Sequence, residues 1–205
     1  MTAAEVITGD CLVHLRAMPP DHVDAVVTDP PWNLGKCYGA HDDAMPRDRY
    51  VEWLGDVLGE CRRVSRGPVV VLPGACNDRI LAPLLRRARL YPVASFVWRK
   101  PTAEPILWTV VPPPRGLPAT IWAREPSPNH PALGRHPCPK PLALLEPLVQ
   151  AAVARGGTVL DPFAGTGTTL LAAVRRERGA IGIELEPRFC RVAVGRCAAV
   201  TETVA

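Results

Sequence analysis

The chain has 205 residues, 47% of them hydrophobic and 21% charged, with a net charge of +4 and an isoelectric point near 8.8. That length favours one domain with enough chain to bury a sizeable core. No apolar run approaches the roughly 20 residues that span a bilayer, and no secretory signal pattern opens the sequence, so a cytoplasmic protein is expected. The charge permits a polyanionic partner without requiring one. Seven cysteines stand at Cys11, Cys37, Cys61, Cys76, Cys138, Cys190 and Cys197. None forms a C-x-x-C pair and no His/Cys cluster has zinc-ligand spacing, which predicts free thiols and no metal site.

In chain order the sequence alternates strands and helices. Val6–Thr8 reads as a strand, and Cys11–Ala17 as a helix with Leu12, Leu15 and Met18 to one side. Asp24–Thr28 is a buried strand, because its apolar run is continuous rather than alternating. Arg49–Val64 carries Tyr50, Trp53, Leu54, Val57, Leu58 and Cys61 at helical spacing. Gly67 stops that helix, and Pro68–Leu72 is another buried strand. Asp78 caps a helix to about Arg89, and Val93–Trp98 returns as a strand. Prolines concentrate between Pro101 and Pro147, where ILWTVV and ATIWAR are candidates for a small hairpin. Pro141–Ala154, Thr168–Arg178 and Pro187–Ala199 then read as helices, with strands at Thr158–Leu160 and Ala180–Ile183. Alternating βα units imply a mostly parallel sheet covered on both faces, with ligands at the carboxyl ends of the strands near a switch in strand order.

Two strand ends carry chemistry. In VDAVVTDPPWN (Val23–Asn33) an apolar run ends in Asp29, then Pro30, Pro31 and Trp32. Taken alone, Asp-Pro-Pro is also a common way to stop a strand and start a turn. In TVLDPFAGTGTTL (Thr158–Leu170) a short strand runs into Asp161, then Gly165 and Gly167, then a helix. Glycines let a ligand approach the main chain, and the helix start offers free N–H groups. A phosphate-binding P-loop would need a lysine where Thr168 and Thr169 stand, and the third glycine of a dinucleotide fingerprint is missing. The next strand ends in Glu184, about 20 residues on, where a carboxylate can accept ribose hydroxyls. A nucleoside cofactor without a pyrophosphate fits, and S-adenosylmethionine is such a molecule.

DPPW (Asp29–Trp32) ahead of DPFAGTGTT (Asp161–Thr169) resembles the amino-methyltransferases of DNA in the motif order of their β group, which methylate adenine N6 or cytosine N4. ITGDCLVHL (Ile7–Leu15), RDRYVEWLGDVLGECRRVSRGPVVV (Arg47–Val71), FVWRKP (Phe96–Pro101) and HPCPKPLALLEPLV (His136–Val149) resemble further segments of that family in one consistent order. The resemblance implies a single Rossmann-like methyltransferase domain over residues 1–205, with a mostly parallel seven-stranded sheet and a circularly permuted motif order. A small target-recognition insertion falls at about 102–135.

It also implies residue roles. Asp29 and the Pro30 carbonyl would accept hydrogen bonds from the target amine, on a turn stiffened by Pro30 and Pro31, and Trp32 would stack on the extruded base. Asp10 and Cys11 would contact the cofactor's adenine, and Glu184 its ribose. Phe163, Ala164, Gly165, Thr166, Gly167, Thr168 and Thr169 would line its methionine end, with Lys140 near its carboxylate side, and Asp29 and Asp161 would also contact the cofactor. Lys36, Arg47, Arg99, Lys100, Arg115, Arg124 and Arg135 are candidates to face DNA phosphates. The loop Asn33–Asp48 would either add contacts or act as a mobile lid. No metal is needed.

Adenine N6 is favoured because cytosine-N4 enzymes more often begin the motif with Ser. Pro137–Cys138 resembles the nucleophile of cytosine-C5 methyltransferases, but in the wrong order relative to the glycine loop. An RNA adenine-N6 enzyme, which also carries DPPW, and a catalytically silent DNA-binding subunit remain alternatives. A proline-rich insertion offers few side chains to base edges, so a short or degenerate recognition site is expected, or a second subunit such as an identical one in a homodimer.

Overall fold

A computed structural model describes residues 4–39, 41, 43–72, 78–99, 103–109, 117, 119–124, 133 and 136–203. The elements in chain order are β1 (Ala4–Thr8), α1 (Cys11–Ala17), β2 (Ala25–Thr28), α2 (Arg47–Val64), β3 (Val69–Val71), α3 (Asp78–Arg87) and β4 (Pro92–Arg99). They continue with β5 (Ala103–Thr109), β6 (Thr120–Trp122), α4 (Leu142–Ala152), β7 (Thr158–Asp161), α5 (Thr168–Arg175), β8 (Gly179–Glu184) and α6 (Pro187–Thr203). One sheet runs β1-β8-β7-β2-β3-β5-β4-β6. Its pairs are parallel except for β5, which lies antiparallel between β3 and β4.

The continuous valine runs of β2 and β3 supply both faces of this sheet at once. Val26, Val69 and Val71 pack with Leu15 of α1, Leu54 and Leu58 of α2 and Leu84 of α3. Ala25, Val27 and Val70 point the other way, against Leu144 and Leu148 of α4 and Leu170 of α5. Period-two alternation thus sorts a purely apolar strand between two layers of helices. Among the described residues, no helix is long and apolar enough to cross a membrane.

The expected doubly wound parallel sheet is present, with eight strands rather than seven. Among the described residues, ILWTVV and ATIWAR do not pair with one another. Leu107–Thr109 pairs antiparallel with both β3 and β4, and Ile121 pairs parallel with Trp98 on the outer side of β4. An apolar strand gains more by entering a sheet with both faces covered than by a two-stranded ribbon in water. Helices α3 and α5 stop short of the expected Arg89 and Arg178, because Arg89 (φ 53°) and Glu177 (φ 61°) adopt left-handed backbone just past their ends.

Candidate active site

The strand order reverses between β7 and β2: β7 leads on to β8 on one side, and β2 to β3 on the other. The loops after these two strands therefore diverge and leave a crevice at their carboxyl ends. A cavity of about 330 Å³ opens there. The two motifs meet across it, since the Thr28 hydroxyl at the end of β2 donates to Asp161 Oδ1 at the end of β7 (2.9 Å).

Asp161 organises the glycine loop. It also accepts from the Phe163 N–H (3.1 Å) and, through Oδ2, from the Thr169 hydroxyl (2.6 Å). Burial nonetheless pushes its pKa up to about 6. Gly165 has φ 53°, and an added Cβ would lie 2.9 Å from His136 Nε2. Its N–H donates to Glu184 Oε2 (2.8 Å), while Oε1 accepts from the Glu186 N–H (2.8 Å). Burial also raises the pKa of Glu184, against the pull of those two N–H groups. Gly167 caps α5 in left-handed conformation and packs against Ala193 rather than lining the cavity. Arg196, on α6, steadies the loop from behind by donating to the Thr166 carbonyl (2.5 Å) and the Thr168 hydroxyl (3.2 Å).

Asp29 enters from the other side. Its Oδ2 lies 2.5 Å from Lys140 Nζ. Burial raises its pKa, opposed by Lys140 and more weakly by the nearby Trp32 indole N–H. Lys140 was expected at the cofactor's carboxylate; the structure places its ammonium on Asp29 instead. His136 lies across the cavity with its pKa lowered to about 4, by burial first and then by Lys140 and Arg188. Its Nδ1 accepts from the Cys138 N–H (3.2 Å), so the neutral ring carries its hydrogen on Nε2.

Trp32 departs from its expected role. It is buried in the core beneath α2, donates its indole N–H to the Leu72 carbonyl (3.0 Å) and does not line the cavity. The two prolines turn the chain so that the ring drops into the protein. Pro30 is also buried and outside the lining, whereas Pro31 lines the cavity with its carbonyl already accepting from the Tyr50 hydroxyl (2.9 Å). Trp32→Ala is accordingly expected to cost about 3–5 kcal/mol of unfolding free energy, and Trp32→Phe only about 1 kcal/mol for the lost hydrogen bond. Denaturant unfolding measures this. A Trp32→Ala protein of native stability would return the residue to a surface role.

The aromatic wall joins the expected Phe163 to residues that the sequence reading gave no place at the cofactor or the base. Tyr38, His41, Trp53, Phe163 and Phe189 line the cavity, with ring centroids 5.9 Å apart for Trp53–Phe163 and 4.6 Å for His136–Phe189. The loop holding Tyr38 and His41 is braced at both ends. Buried Asp43 accepts from the N–H groups of Asn33 (2.8 Å), Leu34 (3.1 Å) and Lys36 (2.8 Å), while the Asn33 amide exchanges two hydrogen bonds with the Met45 backbone.

Of the other expected residues, Asp10, Cys11, Ala164, Thr166, Thr168 and Thr169 line the cavity. Asp10 also caps α1 through the Val13 N–H (3.0 Å), and burial pushes the Cys11 thiol up to about 12. Lys36, Arg47, Arg99 and Arg124 are exposed. Lys100, Arg115 and Arg135 lie outside the described residues. Among the described residues no group of His, Cys, Asp and Glu is placed to hold a metal ion. Among the described residues, Asp10, Asp29, Asp161 and Glu184 face the cavity against one lysine, Lys140, and no arginine. Such walls repel phosphate and favour a cation.

A permuted nucleoside-binding sheet with two acidic strand ends defines the class of protein, and comparison with known proteins narrows it. The DNA methylase family of N6/N4 type matches residues 112–195. YubD of Escherichia coli K12, named for a methylase, is 30% identical over 95% of this chain and 90% of its own length. The DNA adenine methyltransferase YhdJ of the same organism is 27% identical over 95% of this chain and 82% of its own. TTHA0409 of Thermus thermophilus, solved complexed with S-adenosyl-L-methionine, superposes with a TM-score of 0.69 at 26% identity, covering 96% of this chain and 95% of that one. The chain belongs to the N6/N4 DNA methylase family.

Proposed function

We propose that the chain transfers a methyl group from S-adenosyl-L-methionine to the exocyclic amine of a base extruded from DNA, adenine N6 in preference to cytosine N4. The observation that carries this reading is Asp29: a half-buried carboxylate on the cavity wall, across the strand switch from a glycine loop tied to Glu184. The adenine preference rests on the DPPW form of the motif and on the likeness to YhdJ.

The residues fit the cofactor. Gly165 keeps the main chain bare on the cavity wall beside His136, Glu184 holds a carboxylate on its N–H, and the acidic walls suit a positively charged ligand. S-adenosyl-L-methionine supplies a methyl group on a sulfonium that departs as a neutral thioether. Asp10 and Cys11 would hold its adenine end, and Asp161 with Thr168 and Thr169 its methionine end. Asp29 would accept a hydrogen bond from the target amine, turning the nitrogen lone pair out of conjugation with the ring and towards the methyl carbon. The aromatic wall of Tyr38, His41 and Trp53, rather than Trp32, would supply a flat surface for the base, worth roughly 1–3 kcal/mol.

DNA would approach over the carboxyl edge of the sheet. Trp122 is 72% exposed there, with the Arg99 guanidinium 5.5 Å from its ring centroid and Arg124 two residues on. The small insertion at about 102–135 gives two of its segments to the sheet, which leaves few side chains for base edges and favours a short or degenerate site.

Incubation with methyl-labelled cofactor and mixed-sequence DNA, and in parallel RNA, followed by nucleoside mass analysis, should yield N6-methyladenine in the DNA. N4-methylcytosine would move the assignment to the other base, and unlabelled DNA with labelled RNA would move it to the other polymer. No labelled nucleoside in either polymer would overturn the reading. In the same assay Trp122→Ala should raise KM for DNA about tenfold at unchanged cofactor affinity; an unchanged KM would remove this edge from the DNA path.

A further inference from the structure

The two oxygens of Asp29 meet different surroundings. Oδ2 is held 2.5 Å from the Lys140 ammonium, while Oδ1 is buried and has no hydrogen-bond partner among the described residues. Leaving a buried acceptor unpaired costs roughly 1–3 kcal/mol, so an orphan oxygen on a residue that lines the cavity points to a partner that arrives with the substrate. We propose that Lys140 is a positioning residue, clamping Oδ2 so that Asp29 stays ionised and presents Oδ1 alone to one N–H of the target amine. This inference rests on the methyl-transfer reading.

Lys140 is itself held in place. Pro139 and Pro141 flank it, and a residue before proline is confined to extended backbone. Its side chain is mostly buried, with Nζ 5.9 Å from the centroid of the Trp98 ring, and Trp98 is fixed in turn by donating its indole N–H to the Ala123 carbonyl (2.9 Å). The ammonium is therefore brought to Asp29 by rigid neighbours, with little rotamer freedom left to lose.

The cation is needed because the other surroundings oppose a charge on Asp29. Burial comes first, and Glu104 from β5 adds to it. Asp161 from β7 also interacts unfavourably with it, whereas Tyr38 from the loop after β2, its pKa raised by burial, keeps its proton and faces it as a neutral phenol. Trp32 favours the charged form, and Cys138 sits close enough to Lys140 to act on the lysine. Burial pulls the Lys140 pKa down, but Asp29 more than compensates and the net shift is upward. Each charge thus favours the other, and Lys140 draws the raised Asp29 pKa back down. The sign follows directly: without the cation, Asp29 holds its proton to higher pH, and a protonated carboxyl presents a donor or a weakened acceptor to the amine.

The test compares Lys140→Met and Lys140→Arg in the full chain. The readouts are the pH profile of kcat/KM, the infrared titration of the Asp29 carboxyl in the protein alone and the calorimetric Kd for S-adenosyl-L-methionine. The band missing from Asp29→Asn identifies the carboxyl. Lys140→Met should move the acid limb and the infrared titration upward together by a unit or more, with about a tenfold loss at pH 7 for each unit, recovered at alkaline pH. Its cofactor Kd should change by less than about threefold, and Lys140→Arg should restore most of the profile. If Lys140→Met does not fold, Lys140→Gln carries the same expectations. An unmoved limb and titration would overturn the proposal. So would a tenfold weaker Kd with an unchanged pH profile, which would put Lys140 on the cofactor. Were the unmodified protein to methylate nothing, the functional reading would fall, and the infrared titration would still decide whether Lys140 controls Asp29.

Discussion

Replacing Asp29 with Ala should lower kcat/KM for DNA by about two to three orders of magnitude, in the range found when one preorganised hydrogen-bonding group is removed from a reacting centre. The amine nitrogen of a base is a poor nucleophile because its lone pair is delocalised, and the accepting oxygen acts on it only as the nitrogen reacts. Binding of S-adenosyl-L-methionine should change by less than about threefold, since the glycine loop and Glu184 do not depend on Asp29. The Ala variant also leaves Lys140 facing acidic walls without its closest anion, so its stability should fall and must be measured beside its rate. Asp29→Asn separates these effects, because it keeps an oxygen for the amine and loses the charge that Lys140 pairs with. A correctly folded Asp29→Ala enzyme working at near-normal rate would reduce Asp29 to a strand terminator.

The parts of this site that could be read from the sequence are those fixed by a few adjacent residues. A valine run ending in Asp-Pro-Pro, or a strand running into Asp-Pro-Phe-Ala-Gly, sets its own turn, and the helix Cys11–Ala17 begins where Asp10 caps it. What the sequence could not show depends on contacts far along the chain. Trp32 belongs to the same motif as Asp29, yet the direction of its ring is decided by the Leu72 carbonyl, 40 residues on. Trp53 stands at helical spacing with Leu54 and Val57. That spacing fixes the side of α2 it occupies, but not that the side extends past the sheet edge into the cavity. The antiparallel insertion of β5 between β3 and β4 is likewise set by what its neighbours leave open. Arg196 gives no sequence signal at all, being one arginine in an ordinary amphipathic helix, and only the packing of α6 behind the glycine loop reveals what it holds.

Glu184→Ala should weaken S-adenosyl-L-methionine about a hundredfold by calorimetry. A hydrogen bond to a charged group contributes about 1.5–3 kcal/mol, and 1.4 kcal/mol is tenfold in affinity. The carboxylate serves the loop and the ligand together. Each oxygen already accepts one backbone N–H, from Gly165 and from Glu186, and each keeps lone pairs to offer a ribose hydroxyl. Truncation therefore removes the ribose acceptor and also frees the turn that brings Gly165 to the ligand. Glu184→Gln distinguishes the two losses. Its amide oxygen can still accept from one N–H, but its NH2 group must face the other, so the loop is strained while the side chain keeps its size. An affinity for Glu184→Gln between those of Glu184→Ala and the unmodified protein is the expected order. Equal, near-normal affinities in both variants would mean that the ribose is held elsewhere, and the cofactor's placement along the β7–β8 edge would have to be abandoned.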